Sequence, residues 1–363
     1  MKRLITTIAL ALVTVCAVSQ EKKEPNFLYK EATDLTLIGK VFPDTPKPYE
    51  RLDYEKYPGF NRKEINLLQM TSGIAVSFKT DSPMIAVRAK YAYLNNGASS
   101  RMATRGFDLY IKKDGQWLFA GCSSAPDDIS KPHMLKLADN MDDSMKECLV
   151  YFPTYSKLES VKIAVRRGCF LEPGEVPFRH RVVIFGSSFT HGSSTTRAGL
   201  TYPAIFTRRT GIQLLSMGVS GNCTMQEQFA NAFKDADADA FIFDSFSNGS
   251  PETMKANLFN FIEILQEAHP GKPLIFQRTV WRENRNFDNK IDKREKLKAR
   301  MADSLMTVAM KKYKDVYLIS PCATSEYHET TADGTHFGDY GYTLWAESII
   351  EPVMKILKKY GIK

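Results

Sequence analysis

Four short blocks in the second half of the chain hold residue types suited to nucleophilic attack on a carbonyl. Gly186-Ser187-Ser188-Phe189-Thr190-His191-Gly192 sets two serines between glycines, which permits a tight strand-to-helix turn with a hydroxyl at the helix start. Gly218-Val219-Ser220-Gly221-Asn222 offers an unobstructed backbone N–H at Gly221, and Asp244-Ser245-Phe246-Ser247-Asn248 ends in a side-chain amide. Both could donate a hydrogen bond to an oxyanion. Asp333-Gly334-Thr335-His336 spaces a carboxylate three residues before a histidine, so one ring nitrogen can be held while the other deprotonates a serine. Singly, each block is weak: the serine block could be a structural cap or phosphate cradle, Gly221 and Asn248 ordinary loop and turn residues, and Asp333 and His336 half of a metal site with His328 and Glu329. Their order, each after a strand or before the last helix, favours a serine nucleophile aided by a histidine and an aspartate.

The elements that must position these blocks are legible from the hydrophobic rhythm. Arg181–Phe185, Gln213–Ser216, Ala240–Phe243, Leu274–Phe276 and Val316–Ile319 are apolar strands alternating with helical patterns, which predicts a doubly wound parallel sheet. Such a sheet binds ligands beyond the carboxyl ends of its strands, where three of the four blocks stand. Thr224 with Glu227 suggests a capping box, Ser250-Pro251 a capped helix start, and Gly211 a helix stop. The first half differs. Ile74–Phe78, Met84–Ala89, Phe107–Ile111, Gln116–Ala120 and Val161–Val165 are short alternating strands, with Asp114-Gly115 a hairpin turn, and predict an antiparallel β-sandwich. Pro173, Gly174 and Pro177 mark the break between the halves.

Met1-Lys2-Arg3 followed by the apolar run Leu4–Val18 has the form of an export leader, with Ala17 and Ser19 at a small-residue cleavage site. The expected organisation is therefore a signal peptide over 1–19, a β-sandwich over 20–175 and an α/β domain over 176–363, secreted or periplasmic. Lipid anchoring on Cys16 is the rival reading of the leader. No other stretch approaches membrane length. The net charge of +8 is dispersed on helix faces such as Lys290–Arg300 and does not imply nucleic acid. Five cysteines follow the leader, at Cys122, Cys148, Cys169, Cys223 and Cys322, an odd number without metal-site spacing that suggests packed free thiols.

The order Gly186-x-Ser188 with Gly192, then Gly221, Asn248 and Asp333-x-x-His336 resembles the SGNH (GDSL-like) hydrolase superfamily over about residues 181–363. Gly106-Phe107-Asp108-Leu109-Tyr110 is similar to the GxDLY motif of the β-domain ahead of one branch of it, although an ordinary strand remains the simpler reading of Asp108 and Tyr110. The resemblance implies a flavodoxin-like α/β fold, with Ser188 as nucleophile, His336 as base and Asp333 orienting it. The N–H groups of Ser188 and Gly221 and the amide of Asn248 would form the oxyanion hole, and no metal or cofactor would be needed. Two positions depart from the usual pattern: Ser187 stands where Asp is common, and Ser247-Asn248 lacks the common Gly-x-Asn-Asp. Ser187 and Ser188 are adjacent hydroxyls, and the register to Gly192 favours Ser188. Asn222 and Asn248 also begin glycosylation sequons, whose modification would block this site.

The expected activity is hydrolysis of small acyl esters, most simply acetyl groups on extracellular carbohydrate. Arg197, Tyr202, Trp281 and Arg282 are candidates for the leaving-group side. The alternatives are a non-catalytic carbohydrate-binding protein, a lipase or phospholipase, and a metal-dependent hydrolase built on Asp333, His336 and His328.

Overall fold

The computed structural model describes residues 26–95 and 99–363. The expected leader over 1–19, with Cys16, lies outside the described residues. Ten strands build two antiparallel sheets: β1 (Phe27–Glu31), β2 (Thr36–Ile38), β3 (Ala75–Thr80), β4 (Ile85–Tyr93), β5 (Gly106–Lys113), β6 (Gln116–Ser124), β7 (His133–Ala138), β8 (Lys146–Tyr151), β9 (Lys157–Arg166) and β10 (Leu171–Pro173). Their orders are β1-β9-β4-β7 and β10-β3-β8-β5-β6, with β2 beside β3. Alternate residues point inward, so Val76, Phe78, Ile85, Val87, Phe107, Leu109, Val150 and Ile163 fill one core between the sheets. Asp114 and Gly115 both have positive φ, 51° and 79°, as a two-residue hairpin turn requires. Two short helices accompany the sheets, α1 (Arg62–Leu68) and α2 (Arg101–Arg105).

The second half is a five-stranded parallel sheet of β11 (Arg179–Gly186), β12 (Ile212–Gly218), β13 (Ala240–Asp244), β14 (Leu274–Gln277) and β15 (Val316–Ile319), in the order β12-β11-β13-β14-β15. This is the flavodoxin-like order, whose switch point lies at the first strand of the sheet. Its helices are α3 (Ser188–His191), α4 (Tyr202–Thr210), α5 (Glu227–Phe233), α6 (Pro251–Ala268), α7 (Asn289–Lys312) and α8 (Asp339–Lys358). The continuous apolar strands serve both faces. Val183 and Phe185 of β11 pack with α5, α6 and α7, whereas Val182 and Ile184 pack with α4 and α8.

Ser250 caps α6 through the Thr253 N–H, and Gly211 ends α4 at φ 75°, as expected. The capping box of Thr224 and Glu227 does not form. Gln226 occupies the cap position of α5 without a side-chain cap bond, because its amide accepts from Thr224 N and donates to Glu64 of α1.

The α5–α6–α7 face is completed from far upstream. Val41, Leu52, Leu67, Leu68 and Met70 pack in one cluster with Leu215, Met217 and Phe229. Arg51, 1% exposed, donates to the carbonyls of Leu67, Met70, Ser216 and Gly218, anchoring this segment to the carboxyl end of β12.

Candidate active site

The turn bearing Ser188 follows β11. Gly186 has no room for a side chain, since a Cβ there would lie 1.9 Å from Thr190 Oγ1. Ser187 is fully buried, caps α3 by accepting from Phe189 N, and donates its hydroxyl to Asp244 Oδ2 at 2.7 Å. That commitment separates the two adjacent serines. Ser188 is half-buried, and its Oγ lies 2.9 Å from His336 Nε2.

On the other side of His336, Nδ1 lies 2.8 Å from Asp333 Oδ2, while Asp333 Oδ1 accepts from Thr335 N and His336 N. Burial works against the Asp333 charge, but the hydrogen bonds from His336 and from these two N–H groups outweigh it and hold the carboxyl below its usual range. The loop is tied down by Glu283, which accepts from the N–H and hydroxyl of both Thr330 and Thr331, and by Asn284, which bonds Thr335 Oγ1 and Gly334 O. Phe189, packed against Phe337 and Trp345, supports the imidazole at 5.7 Å between ring centres. The pair stands near the surface, with the Asp333 side chain 51% and the His336 side chain 28% exposed.

The two remaining blocks lie beside this chain of contacts. Gly221 adopts φ 71°, a left-handed conformation that favours glycine, and nothing lies within 4 Å of where its Cβ would be. Asn248 uses Oδ1 to accept from Cys223 N at 3.2 Å, which fixes the amide plane and leaves the Nδ2 hydrogens on its other edge. Behind them Asp244, 1% exposed, accepts from Ser187 N, Ser187 Oγ, Thr190 Oγ1 and Ser247 Oγ. Burial pushes the Asp244 carboxyl up, while these donors oppose that shift. One buried carboxylate thereby ties the turn bearing Ser188 to the turn bearing Asn248.

The four candidates for the leaving-group side separate. Tyr202 is fully buried, stacked on Trp345 at 4.5 Å and bonded to Thr190, so packing replaces the expected substrate contact. Arg197 also has partners within the chain. Its guanidinium pairs with the buried Asp108 at 2.7 Å and lies over Phe119 at 3.8 Å. Asp108 also accepts from Gly199 N, and Tyr110 lies beneath Arg208 at 4.0 Å, so the GxDLY strand latches the sandwich to the segment before α4. Trp281 bonds Asn286 and carries Arg285 over its ring, whereas Arg282 donates to Ser247 O at 2.8 Å and packs over Phe189. Arg282 therefore sits behind the third block. Lys298 also donates to Ser247 O, at 2.6 Å, and burial lowers its ammonium to about 8. His328 bonds Asn286 and packs edge-on to Trp281. Among the described residues, no three His, Cys, Asp or Glu side chains are grouped to hold a metal, all five cysteines are free, and no helix is long and apolar enough to cross a membrane.

Residues given no role by the sequence reading also meet here. Arg51 and Tyr155 come from the first half and Glu283 from the loop after β14; none lies in a motif. Asp244 heads the third block, and its position at the end of β13 was the available signal.

The profile of the GDSL-like lipase/acylhydrolase family matches residues 179–355, and that of the GxDLY N-terminus of SGNH-hydrolase-type esterases matches residues 26–170. Among solved structures, a protein from Bacteroides ovatus ATCC 8483 described as a GDSL-like lipase is 34% identical, over 92% of this chain and 98% of its own, with a TM-score of 0.87. The salicylyl-acyltransferase SsfX3 from a tetracycline biosynthetic pathway is 20% identical over 94% and 98%, with a TM-score of 0.67. A family two carbohydrate esterase from Cellvibrio japonicus is 11% identical over 92% and 98%, with a TM-score of 0.60. The last two share the fold alone. No curated protein matches.

Proposed function

The chain belongs to the GDSL-like lipase/acylhydrolase family and is an ester hydrolase; from that premise we propose that it removes small acyl groups, most simply acetyl, from carbohydrate outside the cytoplasm. The observation that carries the reading is the unbroken line Ser188 Oγ, His336 Nε2, His336 Nδ1 and Asp333 Oδ2, with contacts of 2.9 and 2.8 Å. In the proposed reaction His336 takes the Ser188 proton as Oγ bonds to the ester carbonyl carbon. Negative charge passes to the carbonyl oxygen, facing the N–H groups of Ser188 and Gly221 and the Asn248 amide. Collapse breaks the ester C–O bond, and His336 returns the proton to the leaving alcohol. Water activated by the same imidazole then frees the acid and restores Ser188.

Two observations support carbohydrate as the leaving group. The family two carbohydrate esterases share the two-part fold. Phe287, Tyr327 and Tyr340, exposed by 97%, 78% and 59%, lie on the loops bracing Asp333–His336 and in the first turn of α8, where no large aliphatic side chain is exposed. Separate aromatic faces among polar side chains suit sugar rings better than an acyl chain, which needs continuous apolar cover. The leader over 1–19 supports export.

The test is hydrolysis of p-nitrophenyl acetate, butyrate and octanoate and release of acetate from acetylated xylo-oligosaccharides, by wild type and Ser188→Ala, with and without chelator. The expected result is chelator-resistant turnover, fastest on acetyl and abolished in Ser188→Ala. Preference for octanoate would instead establish a lipase. Chelator-sensitive turnover surviving in Ser188→Ala would overturn the serine mechanism.

A further inference from the structure

Tyr155, in the turn between β8 and β9, carries a hydroxyl from the sandwich into the α/β half. It is 7% exposed, and its oxygen bonds both Ser193 Oγ and Ser220 Oγ. Those serines belong to different catalytic loops. Ser193 follows the nucleophile helix and donates its N–H to Ser188 O at 2.9 Å. Ser220 immediately precedes Gly221. A phenol has one proton to give and lone pairs to accept with, so it can hold both serine hydroxyls at once.

We infer that Tyr155 is a positioning residue for the oxyanion hole: its hydroxyl couples the nucleophile turn to the Gly221 loop and so sets where the Gly221 N–H stands relative to Ser188 Oγ. The inference rests on the serine mechanism proposed above. The ring is held firmly enough for this. It stacks on His191 at 4.1 Å with 12° between planes, and His191 Nε2 lies 2.8 Å from Thr154 O. Burial holds the His191 imidazole far below its ordinary value, so it stays neutral and donates Nε2–H to that carbonyl. Ser72 Oγ donates to His191 O, so residues of the sandwich half grip the nucleophile turn at ring and backbone.

The Gly221 loop has matching constraints. Val219 N donates to Gly186 O at 2.8 Å, and the Asn222 side chain folds back onto Ser220 O at 2.7 Å. The loop is thus anchored at its root, and Tyr155 supplies the tether at its outer shoulder. A donor shifted by a fraction of an ångström weakens its bond to the developing oxyanion while leaving the ground-state ester scarcely affected.

The experiment compares Tyr155→Phe, Ser220→Ala and the double variant on p-nitrophenyl acetate, with phenylboronic acid as a mimic of the tetrahedral species. Removing an oxyanion donor outright costs about 100- to 1000-fold, so displacing one should lower kcat by about 10- to 50-fold and leave KM within about twofold. Inhibition by the boronic acid should weaken by the same factor as kcat/KM. Ser220→Ala should reproduce the effect, and the double variant should be no worse than either single one, because both break one coupling. Tyr49→Phe, which removes a buried hydroxyl from Glu31 in the same sandwich, should leave kcat unchanged. Wild-type kcat in Tyr155→Phe, a change confined to KM or thermal stability, or losses that multiply in the double variant would each overturn the inference. If Tyr155→Phe does not fold, Ser220→Ala and its boronic acid affinity decide. Activity persisting in Ser188→Ala would remove the underlying mechanism, whereas an inactive Ser188→Ala beside an unaffected Tyr155→Phe would remove this inference alone.

Discussion

Replacing Asp333 by alanine should slow the enzyme far less than removing the carboxylate of an enclosed triad. In the proposed mechanism His336 takes the serine proton, and an imidazolium forms beside the Asp333 charge, with Nδ1 and Oδ2 2.8 Å apart. Two unit charges about 4 Å apart attract by about 1 kcal/mol in bulk water and about 4 kcal/mol at an effective dielectric near 20. With half of the Asp333 side chain exposed, the value falls between, at about 2 kcal/mol, which is about 30-fold in rate. Losing the bond that orients the ring adds to this, so Asp333→Ala should lower kcat by about 30- to 300-fold, against about 10,000-fold where a buried triad aspartate is neutralised. The assay is kcat on p-nitrophenyl acetate, normalised by covalent titration with a fluorophosphonate so that misfolded protein is not counted. A loss of about 10,000-fold would refute the dielectric argument. A loss under about threefold would refute the role of Asp333.

Other consequences are as direct. Asn248→Ala should lower kcat by about 100- to 1000-fold with little change in KM, yet remain measurably above Ser188→Ala in the same assay. Arg197→Met should leave KM for p-nitrophenyl acetate unchanged and cost about 3 kcal/mol in urea unfolding, because it strands the buried Asp108 carboxylate; a raised KM with intact stability would return Arg197 to the substrate. Lys298, lowered to about 8 when folded, gives a pH signature. Between about pH 8 and its ordinary 10.5 the unfolded chain holds a proton that the folded chain has released, so this group makes stability rise with pH. Urea unfolding at about pH 8, 9 and 10 should show wild type gaining on Lys298→Met, and a constant difference would refute the assignment.

The parallel sheet was legible because its strands are apolar on both faces, and the Ser188, Asn248 and Asp333–His336 blocks because topology puts them at the strand ends. Side-chain direction was not legible. Arg197 and Tyr202 stand near the site in sequence, but one turns to Asp108 and the other into the α4–α8 core, and loop spacing encodes neither. The α5 capping pattern failed because a distant residue intervened, Glu64 drawing the Gln226 amide away. Arg51 reaches partners 165 and 167 residues away and Tyr155 partners 38 and 65 residues away, and such pairs leave no periodicity in one sequence.

The upstream cluster around Arg51 bears on how the protein can be made and divided. A fragment beginning near residue 176 would expose Leu215, Met217 and Phe229 and leave the carbonyls of Ser216 and Gly218 without their guanidinium. The α/β half is therefore not a portable cassette. During synthesis the segment around Val41–Met70 leaves the ribosome before the sheet it covers exists, so its apolar face waits for β12. Refolding should end in a docking step shared by both halves, and fusions or truncations that separate them should fail at that step.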